Sequence, residues 1–72
     1  MLFYAVFNNE YQDKQGNEYY SFMTDLGERV SVKKAYCSNK PKYDGQRCIL
    51  KVRAVHLAEK SFLAYDCVSV IG

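Results

Sequence analysis

Turn-forming pairs interrupt this chain repeatedly, and no segment between them sustains a helical period. Gly16-Asn17, Thr24-Asp25-Leu26-Gly27, Asp44-Gly45 and the segment Leu57–Lys60 punctuate the chain, and Asn8-Asn9 adds a further break near the start. Glycine accepts positive φ without a Cβ clash, and asparagine tolerates the left-handed region better than most residues. The segments left between the turns have strand length.

Five strands follow. Leu2 to Phe7 is a continuous apolar run, closed by Asn8-Asn9. Glu10 to Lys14 leads into a hairpin turn at Gly16-Asn17, and Glu18 to Met23 is its aromatic second arm. Glu28 to Cys37 is the third strand: Val30 and Val32 point one way, Arg29, Ser31 and Lys33 the other. The alternation breaks at Lys33-Lys34, which marks either a β-bulge or the point where the strand leaves the core. Ser38 to Gln46, with Pro41 and Asp44-Gly45, reads as loop. Arg47 to His56 alternates again, with Cys48, Leu50, Val52 and Ala54 on one face and Arg47, Ile49, Lys51 and Arg53 on the other. Ser61 to Ile71 is the fifth strand, rich in β-branched residues at its end.

At 72 residues the chain makes a single domain, and a domain of this size buries only about 60% of its unfolded surface. A lone sheet would leave one face wet, so closure into a small barrel is the economical solution. The fold class is therefore all-β, a five-stranded OB-like barrel over residues 1–72, with an SH3-like barrel as the alternative.

Composition removes several functions. A hydrophobic content of 49% is too high for a disordered chain, and no apolar run approaches the roughly 20 residues that span a bilayer. The first residues lack the basic lead-in of a secretory signal, so a soluble, cytoplasmic protein is expected. Cys37, Cys48 and Cys67 are odd in number and have no Cys-x-x-Cys spacing, which argues for reduced, buried thiols over a disulfide framework or a zinc site. His56 is the only histidine, and along a strand it stands roughly 26 Å from Cys48, too far for a nucleophile and base. With no paired carboxylates and no phosphate loop, neither enzyme activity nor a cofactor is expected.

Binding residues stand out more clearly. The net charge of +2 is mild, so the arrangement of the ten Lys and Arg residues matters more than their sum. Arg29, Lys33, Lys51 and Arg53 fall on strand faces opposite the apolar ones, and strands three and four of one barrel would present them together. Lys34, Lys40 and Lys42 accompany the following loop, with Tyr36 and Tyr43 among them. Cations that track phosphates, interleaved with rings that stack on bases, are the parts of a single-strand binding groove. Lys14 and the adjacent Tyr19 and Tyr20 add to the set. The alternative is a protein partner held by the aromatic patch, with the lysines as solvated bystanders.

The run Lys14-Gln15-Gly16-Asn17-Glu18-Tyr19, the Thr24-Asp25-Leu26-Gly27 turn, the Val55-His56-Leu57 segment and the end Asp66 to Ile71 resemble, in order, the single-stranded DNA-binding, helix-destabilising proteins of filamentous phages. The resemblance implies an OB-type barrel acting in DNA replication in a host cytoplasm, with Tyr19 stacking on bases and Lys14 on phosphate. In that family an aromatic residue follows the Asp-Leu-Gly turn, where this chain has Arg29 and Val30. The family also forms a homodimer through a long hairpin that lends an aromatic to the partner's DNA site. Here Ala58-Glu59-Lys60-Ser61 separate Leu57 from Phe62, which makes Phe62 the candidate for that ring.

Overall fold

The computed structural model describes residues 1–72 as five antiparallel strands in one sheet. They are β1 (Leu2–Gln12), β2 (Glu18–Thr24), β3 (Arg29–Lys33), β4 (Arg47–His56) and β5 (Ser61–Ile71), in the order β3-β2-β1-β4-β5. The all-β class expected from the turn spacing is what the chain adopts, and β4 and β5 have the expected bounds. No helix is long and apolar enough to cross a membrane.

Two strands differ from those expected by more than a single end residue. Asn8-Asn9 does not end the first strand. Phe7 faces Phe22 and Asn9 faces Ser21, so Asn8 is the extra residue of a β-bulge and β1 runs on to Gln12. On its other side Phe7 extends the pairing with β4 into the preceding loop: its N–H donates to the Gln46 carbonyl at 2.9 Å, and its carbonyl accepts from Gly45 N at 2.8 Å. The third strand is shorter than expected, because the chain turns into a single 3₁₀ turn at Lys34–Tyr36. The broken alternation at Lys33-Lys34 marks the strand's exit from the core.

The core lies on one face of the coiled sheet. Ala5, Phe7, Tyr20, Phe22, Val30, Val32, Cys48, Leu50 and Cys67 form it, with every strand contributing. Phe22 and Leu50 are fully buried. Phe7 meets Tyr20 and Phe22 edge to face at 5.7 and 5.9 Å, the arrangement that ring quadrupoles favour. All three cysteines are free thiols. Cys37 is only partly buried; its thiol donates to the Asn39 carbonyl at 2.9 Å, and the neighbouring Cys67 thiol and desolvation push it far above the ordinary range.

Both edge strands, β3 and β5, run parallel to β1 and approach one another, with no strand ladder between them. The segment after the 3₁₀ turn bridges them. Ser38 donates from its N–H and its hydroxyl to the two Asp66 carboxylate oxygens at 2.8 and 2.7 Å, and Asn39 N–H donates to the Cys67 carbonyl at 2.9 Å. At the other end, β4 pairs with β1 as far as Lys51, Val52 N–H donates to the Met1 carbonyl at 2.9 Å, and from there β4 continues with β5 alone to His56. Its last half and the first half of β5 thus form a two-stranded ribbon. Ala54, expected in the core, is exposed for this reason.

Candidate nucleic-acid interface

Cross-strand register decides which side chains the ribbon offers to each side. Arg53 faces Ala64 and Val55 faces Phe62, so Arg53, Val55, Phe62 and Ala64 share one face. That face turns toward the outer surface of β2 and β3, where Tyr19, Ser31 and Lys33 lie. Together with Tyr36 of the 3₁₀ turn they line one groove of about 330 Å³. Five of the nine candidate residues meet there: Tyr19, Lys33, Tyr36, Arg53 and Phe62. No carboxylate lines it, although Asp13 Oδ2 accepts from the Tyr19 hydroxyl at 3.5 Å.

The rings are presented for contact. Tyr36 is 69% and Phe62 44% exposed. Lys33 Nζ lies 5.6 Å from the Tyr36 ring centre and Lys60 Nζ 5.7 Å from that of Phe62, within cation–π range. Tyr19 is held from behind by Tyr11, which strand spacing alone does not single out. The two rings stack 5.2 Å apart at an interplanar angle of 20°, and the Tyr11 hydroxyl donates to Ser31 Oγ at 2.8 Å. The one sequence signal for this pair is the hairpin itself, whose two arms set Tyr11 opposite Tyr19 across the Gly16-Asn17 turn.

Lys33 also lines a second, polar hollow with Lys34, Lys40 and the turn residues Gly16, Asn17 and Glu18. Lys14 is exposed in that same turn, next to the hollow and outside the groove. Asp13 builds the turn: its Oδ1 accepts from the N–H groups of Gln15 and Asn17, each at 2.9 Å, and its Oδ2 from Asn17 Nδ2 at 3.1 Å. The Asn17 side-chain bond is the largest of the effects that hold the Asp13 carboxyl below its ordinary range. Gly16 takes φ +89°, a conformation that a side chain would strain.

Three expectations need correction. Tyr20 is only 7% exposed and belongs to the core, with its hydroxyl pushed above the phenol range by burial, so it has no face to offer a base. Arg29 is exposed but stands four residues before Lys33, roughly 13 Å along β3, outside the groove. Lys51 is exposed as well, and it pairs across to Asp66, beyond the groove's lining. Of the four cations only Lys33 and Arg53 share a surface, because β3 and the β4–β5 ribbon approach one another there while Arg29 and Lys51 lie further along their strands.

Lys34 is also withdrawn. Its Nζ binds Glu10 Oε2 at 2.8 Å and Glu18 Oε2 at 3.1 Å and sits 5.1 Å from the Tyr20 ring centre. Those hydrogen bonds, Glu10's first, raise its pKa above the ordinary lysine value. His56 shares a hydrogen bond with Ser61 at 3.0 Å through Nδ1, while Cys48 is buried in the core. No protein-family model, curated protein or solved structure matches the chain.

Proposed function

We propose that this protein binds single-stranded DNA without strong sequence preference, as a non-enzymatic OB-type domain of the kind used in phage replication. One observation carries the reading: three exposed or half-exposed rings, Tyr19, Tyr36 and Phe62, converge with Lys33 and Arg53 in a groove that no acid lines. Rings supply sequence-tolerant stacking and cations follow the phosphates. A protein-binding patch has no need of cations placed against its rings, and charged residues are depleted at the centres of such patches.

The place of the groove supports the OB-type assignment. Oligonucleotides lie on the strand 2–3 face of OB barrels, between the loops that join strands 1–2 and 4–5. In this chain the groove has β2 and β3 as its floor, the β4–β5 ribbon as one wall and the β1–β2 turn beside it. Lys33, Lys40 and Lys14 extend the track of positive charge over that turn. Phe62 lies in its own chain's groove, so the site is complete within one chain, and a homodimer would add a second groove without being needed for the first.

The test is tyrosine fluorescence during titration with oligothymidine at low salt, since the chain has no tryptophan. Saturable quenching that salt reverses is expected. Tyr19→Ala should weaken binding about tenfold to a hundredfold, the worth of roughly 1–3 kcal/mol of base stacking. A flat titration with no change in oligonucleotide mobility would overturn the proposal.

A further inference from the structure

The ribbon's opposite face borders a second concavity with different chemistry. Val52 faces Tyr65 and Ala54 faces Leu63, so these side chains point away from Arg53 and Phe62. With Phe3, Val30 and Leu26 of the β2–β3 turn, Val52, Leu63 and Tyr65 enclose a cleft of about 260 Å³. Leu63 and Tyr65 border both concavities, whereas Leu26, Val30 and Val52 belong to this one alone. Leu26 is 86% exposed, an aliphatic side chain held in water at the cleft's lip.

No Lys or Arg lines the cleft, while Asp25 and Glu28 stand on its rim. Both ion pairs in the molecule belong to Lys34, so neither rim carboxylate has a cation of its own. The amino group of Met1, which also borders the cleft, donates instead to the Val52 carbonyl at 3.3 Å. A chain of net charge +2 thus carries an apolar cleft with a local negative rim. Its volume is below the roughly 300–1,000 Å³ of small-molecule pockets, which suits one anchoring side chain more than an enclosed ligand.

We propose that this cleft docks a short peptide segment of another protein that carries a bulky apolar side chain beside a Lys or Arg. The apolar floor takes the anchor, and the rim carboxylates take the cation and exclude acidic partners. Nucleic acid is repelled by the same rim, so the cleft is separate from the DNA track. A second copy of the chain is the poorer occupant: a twofold contact would set Asp25 and Glu28 against the same residues of the partner copy, with no Lys or Arg in either lining.

The test uses the full chain, labelled with ¹⁵N, and two capped pentapeptides, Lys-Leu-Phe-Arg-Leu and Glu-Leu-Phe-Glu-Leu. The basic peptide should shift the amides of Leu26, Glu28 and Val52 saturably and leave Lys33 and Tyr36 in place. The acidic peptide should bind at least about tenfold more weakly, and the double variant Asp25→Lys/Glu28→Lys should lose about tenfold in affinity for the basic one. That variant should keep the amide shift dispersion of the parent chain outside the cleft, which shows that it is folded. Equal binding of both peptides, no saturable shift, or an unaltered affinity in the variant would overturn the proposal. So would movement of the same amides with protein concentration alone, which would assign the cleft to a second copy.

Discussion

Two pairs of adjacent residues, Tyr19-Tyr20 and Lys33-Lys34, divide their work completely. Alternation along β2 sends Tyr20 into the core and leaves Tyr19 on the outer face, backed by Tyr11. At the end of β3, Lys33 enters the groove while Lys34, one residue into the 3₁₀ turn, swings onto Glu10 and Glu18. Each phosphate that a single-strand site neutralises adds about 0.7 to its salt slope. Lys33→Ala should therefore flatten log Kd against log salt by about that amount, while Lys34→Ala leaves the slope unchanged. Equal slopes for both variants would remove Lys33 from the proposed DNA track. Lys34 shows the sign of its linkage too: with its folded pKa raised, its pairing supports the fold below the ordinary lysine value and is lost as pH rises through the folded value.

At the scale of elements, the β1–β2 turn and the β4–β5 ribbon frame the groove in different ways. The turn is rigid because Asp13 satisfies two backbone N–H groups and the Asn17 amide at once. The folded pKa of Asp13 is depressed, so its support of the turn is present above the ordinary value of 3.8 and is lost as pH falls through the lower folded value. The amide resonances of Gln15 and Asn17 should titrate together with a midpoint below 3.8, and Asn17→Ala should move that midpoint up. A midpoint at or above 3.8 would mean that the turn is not held this way. Beyond Val52, which exchanges hydrogen bonds with Met1, the ribbon pairs only within itself, and its two faces differ because Arg53 and Phe62 alternate with Val52 and Leu63.

For the molecule as a whole, the weak point is the seam between β3 and β5. The radius of gyration, 12.2 Å, exceeds the roughly 11 Å of a compact chain of this length, as a projecting ribbon requires. A domain this small has a total stability of only about 4–11 kcal/mol. The clasp of Ser38 on Asp66 bridges the seam and fixes the chain just after Tyr36. Asp66→Ala should cost about 1–2 kcal/mol, seen as a lower urea midpoint at unchanged m, and should weaken oligothymidine binding severalfold by loosening Tyr36. Full affinity in a destabilised variant would separate the clasp from the groove.

Local chemistry makes the strands, their turns and most of the core legible in the sequence: alternation places Val30, Val32, Cys48 and Leu50 inward, and turn residues place the hairpins. Parity along a strand also tells which cations face outward, since it depends only on the period of two. It cannot tell which of them share a surface. That depends on how the sheet coils β3 toward the β4–β5 ribbon, and on the point where β4 runs past the start of β1 and the ribbon begins. Lys33 and Arg53 meet, and Arg29 and Lys51 are left out, because the coiling of the sheet brings together positions that no sequence spacing relates. The places of Tyr20 and Lys34 escape sequence reasoning for the same cause: burial and ion pairing are contacts between elements, and only the folded chain makes them.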